Sequence, residues 1–271
     1  MTRVLVTGAT GFTGSAVVRR LERVGHEAVV RRIDLLAASD DELAAHVAES
    51  GASHCIHAAW YTNHADYLTN AINRAWVSAS LRLAKAFPGR FVGLGTCLEY
   101  DVANASGALS EDSPLNPQTL YARCKLDLFR ALEARGGDFA WPRLFFVYGP
   151  GDRDGRLIPH MVDQFSRGET SGPTNGGLRR DYIHVDDLAG QIVRIATSEL
   201  RGAINTGTGA APTLSEIFAA GARAFGRPDL ARANADTGGQ PPLIQADLMR
   251  FRQLVGDPQA RDIAEGLRGL V

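Results

Sequence analysis

The feature that most constrains this chain is Thr7-Gly8-Ala9-Thr10-Gly11-Phe12-Thr13-Gly14, which follows directly on the apolar run Val4-Leu5-Val6. A short apolar run that ends in glycines and opens a helical stretch, Ser15 to Val24, predicts the first βα unit of a parallel sheet. Each glycine has its own task there. Gly8 permits the tight turn, Gly11 lets the backbone approach a ligand, and Gly14 lets the helix pack closely on the strand. The helix start offers unpaired N–H groups and a partial positive charge, which suits a pyrophosphate, with Phe12 and Thr13 in the same turn. The spacing is Gly-x-x-Gly-x-x-Gly, not the tighter Gly-x-Gly-x-x-Gly.

Beyond this turn, β-rich runs alternate with helical ones, the pattern of a parallel sheet with crossover helices. Strands are predicted near Arg3–Thr7, Ala28–Arg32, His54–His57, Arg90–Leu94 and Phe139–Phe146. Helices are predicted near Thr13–Val24, Asp40–Ser50, Asp66–Phe87 and Pro117–Arg135. Asp40 and Asp41 are candidate N-caps, and Gly25, Gly51 and Gly136 stand where helices should stop. Near Pro150–Gly151 the texture changes to Gly, Pro, Arg and Asp. Loops at Gly168–Gly177 and Thr237–Pro242 mark the margins of a smaller lobe, and Asp186–Thr197 with Ala203–Asn205 reads as a helix and strand returning to the sheet.

The expected fold is an α/β, doubly wound parallel sheet of Rossmann type with a small C-terminal substrate lobe. Residues 1–150, rejoined by 185–207, form the dinucleotide domain; residues 151–184 and 208–271 form the lobe. A chain of 271 residues is ample for such a core.

With 29 basic against 30 acidic residues the net charge is −1, so neither nucleic acid nor an anionic membrane is an expected partner. Cys55, Cys97 and Cys124 are odd in number and form no Cys-x-x-Cys pair, which fits a reducing cytoplasm better than a disulfide scaffold or a metal site. Glycines interrupt the apolar start, so no secretory signal is expected, and no apolar stretch reaches the roughly 18 residues of a membrane span.

Tyr121-Ala122-Arg123-Cys124-Lys125 sets a phenol and an ammonium four residues apart, on one helix face and about 6 Å from each other. A neighbouring cation favours phenolate and lowers the tyrosine pKa. Such a tyrosine can exchange a proton with a carbinol or carbonyl oxygen.

The glycine turn and this pair together resemble the extended short-chain dehydrogenase/reductase family, whose members mostly act on nucleotide-linked sugars. Further segments carry the resemblance: Cys55-Ile56-His57-Ala58-Ala59 beside the cofactor, Asn73 in the next helix, and Gly95-Thr96-Cys97-Leu98-Glu99-Tyr100 with the catalytic hydroxyl. Later come Arg143 to Gly151 at the strand-to-lobe junction, Arg180-Asp181-Tyr182-Ile183-His184-Val185-Asp186-Asp187, and Asp247 to Val255 with Ala264 to Leu267 near the end. The resemblance implies Tyr121 as proton donor or acceptor, Lys125 on the nicotinamide ribose, and Thr96 hydrogen-bonded to the reacting oxygen. It implies Arg180 on substrate phosphates, or else in a salt bridge to Asp186 or Asp187. Asp34-Leu35 resembles the adenine loop, although Asp34 could equally cap a turn. His57, Ala58 and Ala59 would line the cofactor pocket, His57 as a packed residue. His184 is expected to be structural, and Cys97 a spectator at the substrate site. In related proteins the helices at Asp66–Phe87 and Pro117–Arg135 pair into dimers, which implies a homodimer.

Three departures narrow the function. Arg31-Arg32 stands where an acidic residue would favour NAD, and two guanidiniums suit a 2′-phosphate, so NADP(H) is favoured with NAD(H) as the alternative. Cys97-Leu98 replaces the Asp-Glu pair of the dehydratases, which removes the acid and base needed to eliminate water. Phe146 replaces an asparagine near the substrate diphosphate. The expected function is an NADPH-dependent reductase of a keto group on a nucleotide-activated deoxysugar. The alternatives are an NAD-dependent sugar-nucleotide epimerase using the same residues and a non-catalytic NADP-sensing module.

Overall fold

The structure, a computed structural model, describes residues 1–153, 155–232 and 243–271; the expected loop at Thr237–Pro242 lies outside them. The main elements in chain order are β1 (Arg3–Thr7), α1 (Phe12–Arg23), β2 (Glu27–Val29), α2 (Asp40–Ser50), β3 (His54–His57), α3 (Ile72–Ala86), β4 (Arg90–Gly93), β5 (Gly95–Thr96), α4 (Leu120–Arg135), β6 (Phe139–Leu144) and β7 (Phe146–Tyr148). There follow α5 (Leu157–Ser166), β8 (Arg179–Arg180), β9 (Tyr182–His184), α6 (Val185–Ala196), β10 (Gly202–Thr206), α7 (Leu214–Ala224), β11 (Leu243–Ile244), α8 (Met249–Leu254) and α9 (Ile263–Arg268).

The large sheet runs β2-β1-β3-β4-β6-β10, with β5 continuing beside β6, and its neighbouring strands pair in parallel. Val4, Leu5, Val6, Cys55 and Ile56 are buried, as strands covered on both faces require. This is the doubly wound α/β sheet expected from the sequence. Strand order reverses at β1, which has β2 on one side and β3 on the other, and in such sheets the crevice at the reversal takes the ligand. One core packs α1 and α6 against the sheet; Ile244, Ala246, Leu248 and Phe251 belong to it. A second lies under α2, α3 and α4, and a third joins Tyr148, Met161, Phe165, Phe218 and Leu267 between α5, α7 and α9. No described helix is long and apolar enough to cross a membrane.

Several boundaries differ from expectation for local reasons. The N-cap of α2 is Ser39, not Asp40 or Asp41: its hydroxyl accepts from the Glu42 N–H, and the Glu42 carboxylate accepts in return from the Ser39 N–H at 2.7 Å. α4 begins at Leu120 because the Thr119 hydroxyl caps the Ala122 N–H. α3 begins at Ile72, whose N–H donates to the Asn70 side chain. The strand expected over 139–146 breaks after Leu144, and β7 leaves the large sheet to pair with β9. Pro142 has no N–H to give the ladder, and it is there that the partner of β6 changes from β4 to β5. β2 stops at Val29, which leaves Arg31 and Arg32 beyond the strand. Gly25, Gly51 and Gly136 do follow or cap helix ends, with φ of +80°, +58° and +72°.

Candidate active site

A cavity of about 420 Å³ opens at the carboxyl ends of β1, β3, β5 and β6. One wall is the glycine turn. Gly8 has φ +69°, and a Cβ there would lie 2.6 Å from the Ala59 nitrogen. A Cβ on Gly14 would lie 2.1 Å from the Gly8 carbonyl oxygen. Only glycine fits these two positions, so the backbone lines the space directly. The N-cap of α1 is Gly11, with no side-chain cap and no acidic residue in the first turn. The unpaired N–H groups and the positive end of the helix therefore face the cavity, and the arrangement fits an anionic diphosphate.

The opposite wall carries the hydroxyls. Thr96 ends β5 and caps the short helical turn Cys97–Glu99: its Oγ1 accepts from the Leu98 N–H at 3.3 Å, and its own N–H donates to Glu99 Oε1 at 2.9 Å. The Thr96 side chain is a polar neighbour of the Tyr121 hydroxyl. Both residues line the cavity beside Cys97 and Leu98. Lys125 is buried one turn further along α4. Its Nζ donates to the Leu94 carbonyl at 2.9 Å and lies 3.7 Å from the centre of the Trp60 ring, so Trp60 rather than Lys125 lines the cavity.

This corrects the expected electrostatics. Tyr121 is held above its ordinary range, first by burial and then by its neighbours Tyr67, Glu99 and Cys97, with the Thr96 side chain opposing. Lys125 does not bring it down, because burial lowers the ammonium itself to about 7 and its hydrogen bond goes to Leu94. The pair shares a helix face, but the cation is engaged elsewhere.

Other expected cofactor residues sit behind the wall. His57 is buried between the Thr7 hydroxyl at 2.7 Å and the Ser80 hydroxyl at 2.8 Å, and burial pushes it down to about 3. It is a neutral structural histidine under the cavity floor; Ala58 and Ala59 form the floor itself. Asn73 is fully buried, accepting from Trp60 Nε1 at 2.8 Å and donating to the Tyr67 and Asn70 carbonyls. Asp34 caps a turn, accepting from the Leu36 and Ala37 N–H groups, and Leu35 packs into the core. Arg31, Arg32 and Asp34 line a separate open depression against α2, where Arg31 pairs with Glu49.

At the substrate end, Phe146 lines the cavity, and Arg180 stands outside its lining with the guanidinium 5.7 Å from the Phe146 ring. Asp187 is bound by Arg261 at 2.7 Å and Asp186 by Arg19 at 3.4 Å. The His184 Nδ1 accepts from the Asp186 N–H at the start of α6. Cys97 is a buried thiol pushed up to about 12, chiefly by burial, and is therefore not a thiolate at neutral pH. The sequence reading missed the cations that do line the cavity, Arg153 and Arg156, the latter paired with Asp152 at 2.9 Å. Their signal was the Gly-Pro-Arg-Asp texture after Tyr148. It also missed the aromatic wall of Trp60, Tyr67 and Trp76.

A family model described as the NAD dependent epimerase/dehydratase family matches residues 4–207. The chain is 28% identical to a UDP-glucose 4-epimerase of Mycolicibacterium smegmatis over 98% of this chain and 96% of that one. It is 26% identical to a dTDP-6-deoxy-L-talose 4-dehydrogenase (NAD(P)(+)) of Kitasatospora kifunensis over 99% and 94%. Among solved structures, MoeE5 in complex with UDP-glucose and NAD superposes with a TM-score of 0.79 at 27% identity, over 98% of this chain and 96% of that one.

Proposed function

The chain belongs to the NAD dependent epimerase/dehydratase family, and from that membership we propose that it reduces a keto group on a nucleotide-activated deoxysugar with NADPH. The observation that carries this reading is that Thr96 and Tyr121 line one cavity with the glycine turn, with Cys97 and Leu98 beside them instead of an acid and a base. Gly8 to Gly14 would hold the dinucleotide diphosphate, and the bound dinucleotide supplies the hydride. The protein then has to deliver one proton to the ketone oxygen. Tyr121, kept protonated by burial, is the donor, and Thr96 hydrogen-bonds the same oxygen. Arg153 and Arg156 supply positive charge at the cavity mouth for the substrate diphosphate. Arg31 and Arg32 support the choice of NADPH.

A sugar-nucleotide epimerase with retained NAD is the second reading. Glu49 favours it, because a paired Arg31 is less available to a 2′-phosphate. The two separate in one assay with a nucleotide-linked 4-keto-6-deoxyhexose. The reductase consumes NADPH in step with product; no consumption, with interconversion of the corresponding hydroxy sugars and tightly held NAD, would establish the epimerase instead.

A further inference from the structure

Lys125 is one of two lysines in a chain with 29 basic residues, and its surroundings are built with unusual completeness. Its Nζ lies 3.7 Å from the centre of the Trp60 ring and 5.9 Å from that of Tyr121. It donates to the Leu94 carbonyl at 2.9 Å. That carbonyl is available because the ladder gives out there: the Leu94 N–H reaches the His57 carbonyl, and the next residue, Ala58, turns its N–H to Thr7. Trp60 is itself pinned. Its Nε1 donates to Asn73 Oδ1 at 2.8 Å, and Asn73 is anchored by the Tyr67 and Asn70 carbonyls at 2.7 and 2.8 Å. Trp76 flanks the indole at 6.0 Å and Tyr121 meets it edge-on at 6.4 Å. The indole lines the cavity, and Lys125 does not.

We propose that Trp60 is the positioning residue for Lys125: its indole face clamps the ammonium against the Leu94 carbonyl and keeps it charged beside Tyr121. The physical basis is the attraction of a desolvated cation to the negative face of an aromatic ring. Burial works against the charge and brings Lys125 down to about 7, so the ring acts where a small contribution changes the protonation state. The ionisable groups that face Lys125 are Tyr121 on its own helix, Glu99 from the turn after β5, and His57 from β3. Glu99 favours the ammonium, and His57 stays neutral at working pH. Asn73 gains a role in this arrangement as the anchor of the clamp.

The clamp itself is tested without substrate or dinucleotide; only its effect on turnover rests on the ketoreductase reading. Full-length protein carrying 13C at lysine Cε gives two signals, exposed Lys85 serving as the internal reference and Lys125→Met assigning the other. The Lys125 protons should be displaced upfield by the indole ring current. In Trp60→Leu that displacement should vanish and the Lys125 midpoint should fall by about half to one pH unit. Trp60→Phe should retain part of both effects. An undisplaced Lys125 signal in the unmodified protein would overturn the proposal. So would an unchanged signal and midpoint in a Trp60→Leu protein that still melts cooperatively. Should no reductase activity be found, the lysine titration still decides the clamp; where activity is found and falls as Lys125 loses its proton, that fall should move to lower pH in Trp60→Leu by the same amount.

Discussion

Two of the arginine–glutamate pairs near the sheet have opposite consequences. Arg143 and Glu99 meet at 2.8 Å with side chains 1% and 0% exposed, beneath the turn that carries Thr96. Glu99 also accepts from the Thr96 N–H and from Trp141 Nε1, while Arg143 donates to the Tyr100 hydroxyl. A Cβ on Gly95 would lie 2.3 Å from Trp141 Nε1, so the strand can pass only because that residue is glycine. Arg31 and Glu49 meet beyond the end of β2 with side chains 39% and 62% exposed. Desolvation makes the difference. The buried pair has no water to fall back on and is committed to structure; the exposed pair can be exchanged for solvent or for a ligand.

The largest expected effect comes from breaking the buried pair. Glu99→Ala leaves the Arg143 guanidinium buried and unpaired, which should cost about 3–5 kcal/mol of unfolding free energy by urea denaturation. Replacing both partners, as Glu99→Leu with Arg143→Met, should recover much of the loss. A Glu99→Ala protein as stable as the parent would mean that water reaches Arg143 and that the pair is not committed.

Next in size is the hydroxyl pair that the buried network supports. Tyr121→Phe removes the proposed proton donor and should cut turnover of a reducible keto sugar by roughly a hundredfold or more, the scale of general acid catalysis. Dinucleotide affinity should change little. Near-normal turnover would remove Tyr121 from the mechanism.

Lys125 lies between the two cases, buried like Glu99 but with no carboxylate paired to it among the described residues. Its folded pKa of about 7 lies below the ordinary value of 10.5. Between those values the unfolded chain binds a proton that the folded chain does not, so stability rises with pH across that window, and below it the buried charge is a constant burden. Lys125→Met should therefore raise the melting temperature by a few degrees near pH 6 and by less near pH 9. A gain independent of pH would show that the ammonium is solvated.

The comparison also marks how far the sequence could be read. Elements with a local signal were legible: the apolar run with three glycines fixed the first βα unit, and alternation of strands and helices gave the parallel sheet. The i, i+4 spacing correctly put Tyr121 and Lys125 on one face. It could not say what lies across from that face, because Leu94 and Trp60 come from other parts of the chain. Glu99 has no local signal beyond its place in the Gly95–Tyr100 segment, and only the fold brings Arg143 and Trp141 to it. The sequence reads His57 as a packed residue at the cofactor pocket and Asn73 as part of the same pocket, but it could not name the partners that hold them: Thr7 and Ser80 for His57, Trp60 and two carbonyls for Asn73. Ser39 was readable: a serine three residues before Glu42 is the signature of a capping box, and the neighbouring aspartates obscured it.

The smallest expected effect sharpens the exposed side of the comparison. If Arg31 receives the 2′-phosphate of NADPH, Glu49 competes with that phosphate for one guanidinium. Exposed pairs of this kind are worth roughly 0–1 kcal/mol, which limits the competition to about fivefold in affinity. Glu49→Gln should tighten NADPH binding by up to about that factor and leave NADH unchanged, both read by fluorescence titration. The gain should shrink as salt is raised, since exposed charges are screened. Arg31→Ala should weaken NADPH selectively, and adding Glu49→Gln to Arg31→Ala should then change nothing, because the two residues act on each other. If Glu49→Gln moves NADPH and NADH together, or moves neither while Arg31→Ala is also without effect, the guanidinium is not at the 2′ position. The support for NADPH over NAD would then be gone, and the epimerase reading would gain what the reductase reading lost.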